Sequence, residues 1–219
     1  METKVKICCI STEEEAKIAL AFGANVLGLV AKMPSGPGTI DDALIQNIVK
    51  SIPSETLTFL LTPKTNPNDI IEHQRLTGTN CIQLVDAVKI GDYKILRDNL
   101  PNIKLIQVIH VIDENSVEEA KQYAKVADMI LLDSGNPKLA IKELGGTGRV
   151  HNWELSRKIV ESISKPVFLA GGLKPENIQE AIKFVKPYGL DICSGIRTEG
   201  KLDIEKLKRF FEEVKKANS

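Results

Sequence analysis

The stretch Phe168-Leu169-Ala170-Gly171-Gly172-Leu173-Lys174-Pro175-Glu176-Asn177 is echoed downstream by Asp191-Ile192-Cys193-Ser194-Gly195-Ile196. Each is an apolar run that ends in a turn of small residues. Glycine there lets the backbone approach a ligand with no Cβ in the way, and the amides at a following helix start face an anion. Two such turns in adjacent strand-to-helix loops make a phosphate clamp, the arrangement found in the last two loops of a (β/α)8 barrel. Gly171, Gly172, Ser194 and Gly195 are the candidate phosphate-binding residues.

β-Branched runs at 4–10, 26–30, 56–61, 81–84, 104–109, 129–132, 166–170 and 189–193 read as strands. Segments 12–22, 41–51, 66–77, 93–99, 116–125, 153–162, 175–185 and 203–217 carry apolar residues at helical spacing. Ser11-Thr12 before Glu14 and Glu15, Asn115-Ser116 before Glu118 and Glu119, and Pro175 after Lys174 supply helix-start signals. Strict alternation over 219 residues predicts one (β/α)8 TIM barrel domain, residues 1–219. A doubly wound open sheet is the alternative, but it gathers ligands at one switch point, whereas both phosphate-like turns here belong to the last two strands.

Twenty-nine basic and twenty-nine acidic residues cancel. That leaves no electrostatic footprint for nucleic acid or an anionic membrane, and favours a small-molecule partner. The apolar stretch 19–31 contains Asn25 and is too short to span a bilayer, and the N-terminus does not read as a signal peptide, so a cytoplasmic protein is expected. Cys8, Cys9, Cys81 and Cys193 lack metal-ligand spacing, so no metal site and reduced thiols are expected.

Two connections are long for a barrel. Residues 31–40 contain Met33-Pro34-Ser35-Gly36-Pro37-Gly38, and 133–152 contain Gly145-Gly146-Thr147-Gly148. Both follow strands at one end of the barrel and read as covers over an active site. Period-two alternation puts Lys6 and Cys8 inside the barrel and turns Val5, Ile7 and Cys9 toward the helices. An ammonium beside a thiol favours the thiolate, a base or nucleophile; a small buried hydrophobe is the competing reading of Cys8. Asp133 ends the sixth apolar run at the catalytic rim, where it serves either as a proton donor or as the start of an Asx turn. His110 ends the fifth run and is placed to bond a substrate or tune Asp133, or to face water as a loop-entry histidine. His73 and His151 have no assigned role, and Trp153 after the cap residue Asn152 reads as a packing anchor.

With Lys6-Ile7-Cys8, Leu131-Leu132-Asp133, Gly145-Gly146-Thr147-Gly148 before Trp153, and the two glycine turns, the chain resembles the phosphoribosylanthranilate isomerase family of tryptophan biosynthesis from residue 4 to about 210. The resemblance implies an Amadori rearrangement of an N-(5-phosphoribosyl)amine to a 1-amino-1-deoxyribulose phosphate, with no metal or organic cofactor, in a monomer or homodimer. It implies that Cys8 is the general base at the sugar C2 and Asp133 the general acid at the furanose oxygen. The glycine turns would hold the phosphate, and Lys6, His110 and Arg197 would bind the substrate.

Several positions depart from the family pattern. Cys8-Cys9 stands where the family has Cys-Gly, and Gln83-Leu84-Val85-Asp86 where it commonly reads Gln-Leu-His-Gly. Arg197 replaces a glutamate after strand eight. The loop after strand two lacks the family arginine that holds the anthranilate carboxylate, so Arg197 or Arg149 is expected to supply that charge. A paralogue acting on another phosphorylated sugar amine, and a non-catalytic phosphosugar-binding barrel, are the other readings; retention of Cys8 and Asp133 speaks against the last.

Overall fold

The computed structural model describes residues 2–135, 148 and 150–219. Gly145, Gly146, Thr147 and Arg149 lie outside the described residues. Strands β1 (Lys4–Ile7), β2 (Val26–Val30), β3 (Leu57–Thr62), β4 (Cys81–Leu84), β5 (Lys104–His110), β6 (Met129–Asp133), β7 (Val167–Leu169) and β8 (Gly189–Ile192) form a closed parallel barrel in chain order. Helices α1 (Glu13–Ala21), α2 (Asp42–Ser51), α3 (Pro67–Thr77), α4 (Asp92–Asn99), α5 (Asn115–Tyr123), α6 (Trp153–Ser162), α7 (Ile178–Val185) and α8 (Ile204–Asn218) surround it. The closed order, with β8 pairing β1, excludes the open sheet.

Local chemistry sets the helix starts. Thr12, Asp41, Asn66, Asn152 and Asp203 each accept a hydrogen bond from an amide in the first turn of the helix that follows, satisfying donors that have no intrahelical partner. One boundary differs from expectation. Pro175 does not open α7, because Asn177 accepts from the Lys174 amide at 2.9 Å and donates to the Gly172 carbonyl at 3.0 Å. Those bonds tie 174–177 back onto the glycine turn, so the helix begins only at Ile178.

Two apolar layers follow from strand alternation. Val5, Ile7, Leu190 and Ile192 face the helices, while Val26, Phe59, Leu61, Ile106, Val108, Leu131 and Phe168 fill the barrel. Phe59 and Phe168 meet edge to face, with ring centroids 5.9 Å apart, and Gly189 leaves the space that the Phe168 ring occupies. This packed interior fills the barrel beneath the C-terminal ends of the strands, where a cavity opens.

Candidate active site

The cavity at that end is lined by residues from the ends of β1, β6, β7 and β8 and from the loop after β2. Cys8 and Asp133 both line it, as do Gly171, Gly172 and Ser194. The alternation of β1 brings Lys6 inward below Cys8. Lys6 is fully buried, and its Nζ donates to Asp191 Oδ1 at 2.8 Å. Gly28 of β2 makes the convergence possible: a Cβ there would lie 2.9 Å from both Cys8 Sγ and Lys6 Nζ.

This cluster determines the charge at Cys8. Burial works against the Lys6 ammonium, but Asp191 and the Cys8 sulfur outweigh it and hold Lys6 above the ordinary lysine range. Burial pushes the Asp191 carboxyl up, opposed by Lys6. A hydrogen bond from Cys9, joined by the charge of Lys6, draws the Cys8 thiol below its usual value against the effect of burial. The Cys9 thiol is pushed well up by its hydrogen bonds with Cys193 and Cys8 and by burial. A buried cation beside a thiol is the setting that favours a thiolate.

Asp133 lies in register with His110 on the neighbouring strand. Its Oδ1 accepts from the Ser134 amide at 2.7 Å, so the Asx-type contact and the rim position coexist. His110 is buried, with Nε2 3.1 Å from the Val85 carbonyl. A carbonyl only accepts, so Nε2 carries the proton, and Nδ1 has no partner among the described residues. His110 does not line the cavity.

The two small-residue turns meet here. Gly171 and Gly172 have φ of 80° and 63°, and a Cβ on Gly195 would run into the Leu173 carbonyl. Among the described residues, the main-chain amides of Gly172, Leu173, Ser194 and Gly195 donate to no acceptor, so they stand ready for an external one.

Two expectations change. Cys9 does not face the helices. β1 ends at Ile7, and Cys9 takes a left-handed φ of 62°, which breaks the alternation and turns its thiol into the cavity wall. Arg197 is not brought to the cavity. Its guanidinium grips Glu15 through two bonds, at 2.9 and 3.2 Å, and donates to the Cys8 and Cys9 carbonyls at 3.2 and 2.6 Å. It holds the main chain of the cysteine turn.

Two residues escaped the sequence reading. Asp191 was legible as a lone charge in an apolar strand, at the parity opposite Leu190 and Ile192. His151 packs beneath the first glycine turn, where a Cβ on Gly171 would stand 3.0 Å from its Nδ1. Its Nε2 meets Ser156 Oγ at 2.6 Å, and burial drives its pKa down to about 4, against the pull of Asp133. Nothing in its loop position signalled that contact.

A closed (β/α)8 barrel with a thiol and two carboxylates at its C-terminal mouth and a buried ammonium beneath them is an enzyme architecture suited to proton transfer. A family model described as N-(5'phosphoribosyl)anthranilate (PRA) isomerase matches residues 5–213. The chain belongs to this family and is an isomerase of tryptophan biosynthesis. An N-(5'-phosphoribosyl)anthranilate isomerase of Methanocella arvoryzae is 33% identical, covering 97% of this chain and 98% of that one. Isomerase 2 of Methanosarcina mazei is 37% identical, covering 97% of this chain and 94% of its own length. The phosphoribosyl anthranilate isomerase structure from Thermotoga maritima superposes with a TM-score of 0.83 at 27% identity, covering 98% and 99% of the two chains. Among the described residues, no helix is long and apolar enough to cross a membrane.

Proposed function

We propose that the chain converts N-(5'-phosphoribosyl)anthranilate into the corresponding 1-amino-1-deoxyribulose 5-phosphate, with Asp133 as general acid and Cys8 as general base. The observation that carries this reading is the placement of Cys8 and Asp133 on the wall of one cavity, with Lys6 directly beneath the thiol. Asp133 gives its proton to the furanose oxygen, the C1–O bond breaks, and the nitrogen lone pair forms the C=N bond of the opened sugar. Cys8 thiolate then takes the C2 proton, and the C2–H electrons form the enolamine, which tautomerises to the 2-ketone. Each proton transfer of this kind contributes about 10²–10⁴ in rate, and the overall reaction needs no electron acceptor.

The phosphate lies against the free amides of the two turns, a site that needs no cationic side chain. Lys6 acts on the substrate through Cys8, and His110 Nδ1 offers an acceptor beside Asp133. A structure titled as a phosphoribosyl anthranilate isomerase in complex with reduced 1-(o-carboxyphenylamino)-1-deoxyribulose 5-phosphate is 25% identical to this chain, with a TM-score of 0.81. That similarity supports a phosphorylated sugar substrate here. The protein works in the cytoplasm as a monomer or homodimer; a dimeric relative is known from Thermotoga maritima.

One observation favours a second reading, a different phosphorylated sugar amine. Among the described residues, no lysine or arginine lines the cavity, and an unpaired buried carboxylate costs several kcal/mol, roughly. Complementation of a tryptophan auxotroph lacking the isomerase separates the two. Growth supports the first reading; failure by a folded, expressed protein supports the second.

A further inference from the structure

Cys9 holds a backbone conformation that suits glycine, with φ at 62°, where residues bearing a Cβ are uncommon. The family pattern has glycine here, so the chain keeps that geometry and adds a thiol. Gly38 gives it room: a Cβ on Gly38 would lie 2.5 Å from Cys9 Cβ. The thiol has a specific neighbour. Cys193 Sγ, from the turn after β8, lies 2.6 Å from Cys9 Sγ, and the Pro37 carbonyl accepts from Cys9 at 3.6 Å. A disulfide bond is about 2.05 Å long, so closing it asks for a shift of roughly half an ångström. Both sulfurs line the cavity, and Cys193 is the less buried of the two.

We propose that Cys9 and Cys193 form a reversible disulfide across the mouth of the barrel, with a low-molecular-weight disulfide as oxidant, and that the bridge lowers the activity of the neighbouring Cys8. The exchange balances in two steps. Cys193 thiolate attacks one sulfur of the oxidant RSSR, forming the mixed disulfide Cys193–S–S–R and releasing RS⁻. The first RS⁻ takes the Cys9 proton, and the Cys9 thiolate attacks Cys193 Sγ, expelling the second RS⁻, which takes up the proton that Cys193 gave to solvent. The two protons leave on two RSH, the two cysteines are oxidised, and RSSR is reduced.

The coupling to activity rests on Cys8 being the base. Cys8 and Cys9 are adjacent in the chain, both line the cavity, and the Arg197 guanidinium holds both of their carbonyls. Drawing Cys9 Sγ onto Cys193 shifts that held turn and with it the Cys8 thiol. A misplacement on the order of 1 Å costs up to about 10²-fold, so a loss of about tenfold in kcat/KM is the expected scale.

The test treats the full chain with oxidised glutathione and reads both chemistry and rate. Peptide mapping should join the Cys9 and Cys193 peptides, denatured thiol titration should fall from four to two, and kcat/KM should drop and recover with dithiothreitol. Cys9→Gly and Cys193→Ser should each lose the response to oxidant, while Cys81→Ser keeps it. A bridge that includes Cys8, four titratable thiols after treatment, or equal inhibition of Cys9→Gly and Cys193→Ser would overturn the proposal. A Cys9–Cys193 bridge that leaves the rate and its pH profile unchanged would overturn the switch, and a separate measurement on Cys8→Ser then tells whether the assignment of the base fails with it.

Discussion

Lys6 Nζ donates to Asp191 Oδ1 at 2.8 Å across the seam where β8 closes onto β1, and the two residues are direct partners in the strand register. The pair sits on the barrel floor under Cys8, so one ion pair both closes the fold and sets the charge next to the base. Removing one member of a buried pair costs about 3–5 kcal/mol, because the other charge is left unpaired. Lys6→Met should therefore lose that much stability in urea unfolding, and Lys6→Met with Asp191→Asn should recover part of the loss.

Lys6 also contributes to the lowering of the Cys8 thiol below its ordinary value. The rising limb of kcat/KM against pH should consequently move to higher pH in Lys6→Met. The wild-type limb should lie below the free thiol value of about 8.5. A limb unmoved by the substitution, in a protein that remains folded, would show that Lys6 does not tune the base.

Arg197 grips Glu15 and the carbonyls of Cys8 and Cys9, which predicts a loss of stability in Arg197→Ala of about 3–5 kcal/mol. Burial works against the Glu15 carboxylate, but bonds from Arg197 and the Ser11 and Leu202 amides outweigh it and hold its pKa down. A carboxyl depressed in the folded state adds stability that is complete above the unfolded value of about 4.3 and is lost as pH falls through the folded one. Urea titrations of Glu15→Gln should show a weaker decline in stability below pH 4.3, roughly, than the wild type.

At the phosphate turns, Gly195→Ala would drive a Cβ into the Leu173 carbonyl and separate the turns. Gly172→Val adds a β-branched side chain at φ 63°. Both should raise KM for the phosphorylated substrate more than they lower kcat, and a crystal grown with sulfate should carry the anion between these turns. An anion bound elsewhere on the rim, with this position empty, would count against the assignment.

The barrel was legible because each strand and helix carries its own periodicity, and seven of the eight helix starts fell within a residue of their expected places. The start of α7 was not, since it depends on how Asn177 folds back onto Gly172. Within the site, the inward placement of Lys6 and Cys8 followed from strand parity, which holds only while the chain stays extended, and the rim position of Asp133 from its place at the end of an apolar run. Cys9 lies beyond the end of β1 and escaped the rule. For Arg197 the sequence shows a charge without its partner. Glu15, far away in the chain, accounts for it.

The role of Cys8 as the base is open to steady-state kinetics of Cys8→Ser with N-(5'-phosphoribosyl)anthranilate. A serine hydroxyl keeps the shape but ionises far less readily, so kcat should fall by about 10²–10⁴ while circular dichroism and substrate binding stay near those of the wild type. A folded Cys8→Ser protein that turns over at near wild-type rate would show that Cys8 is not the base.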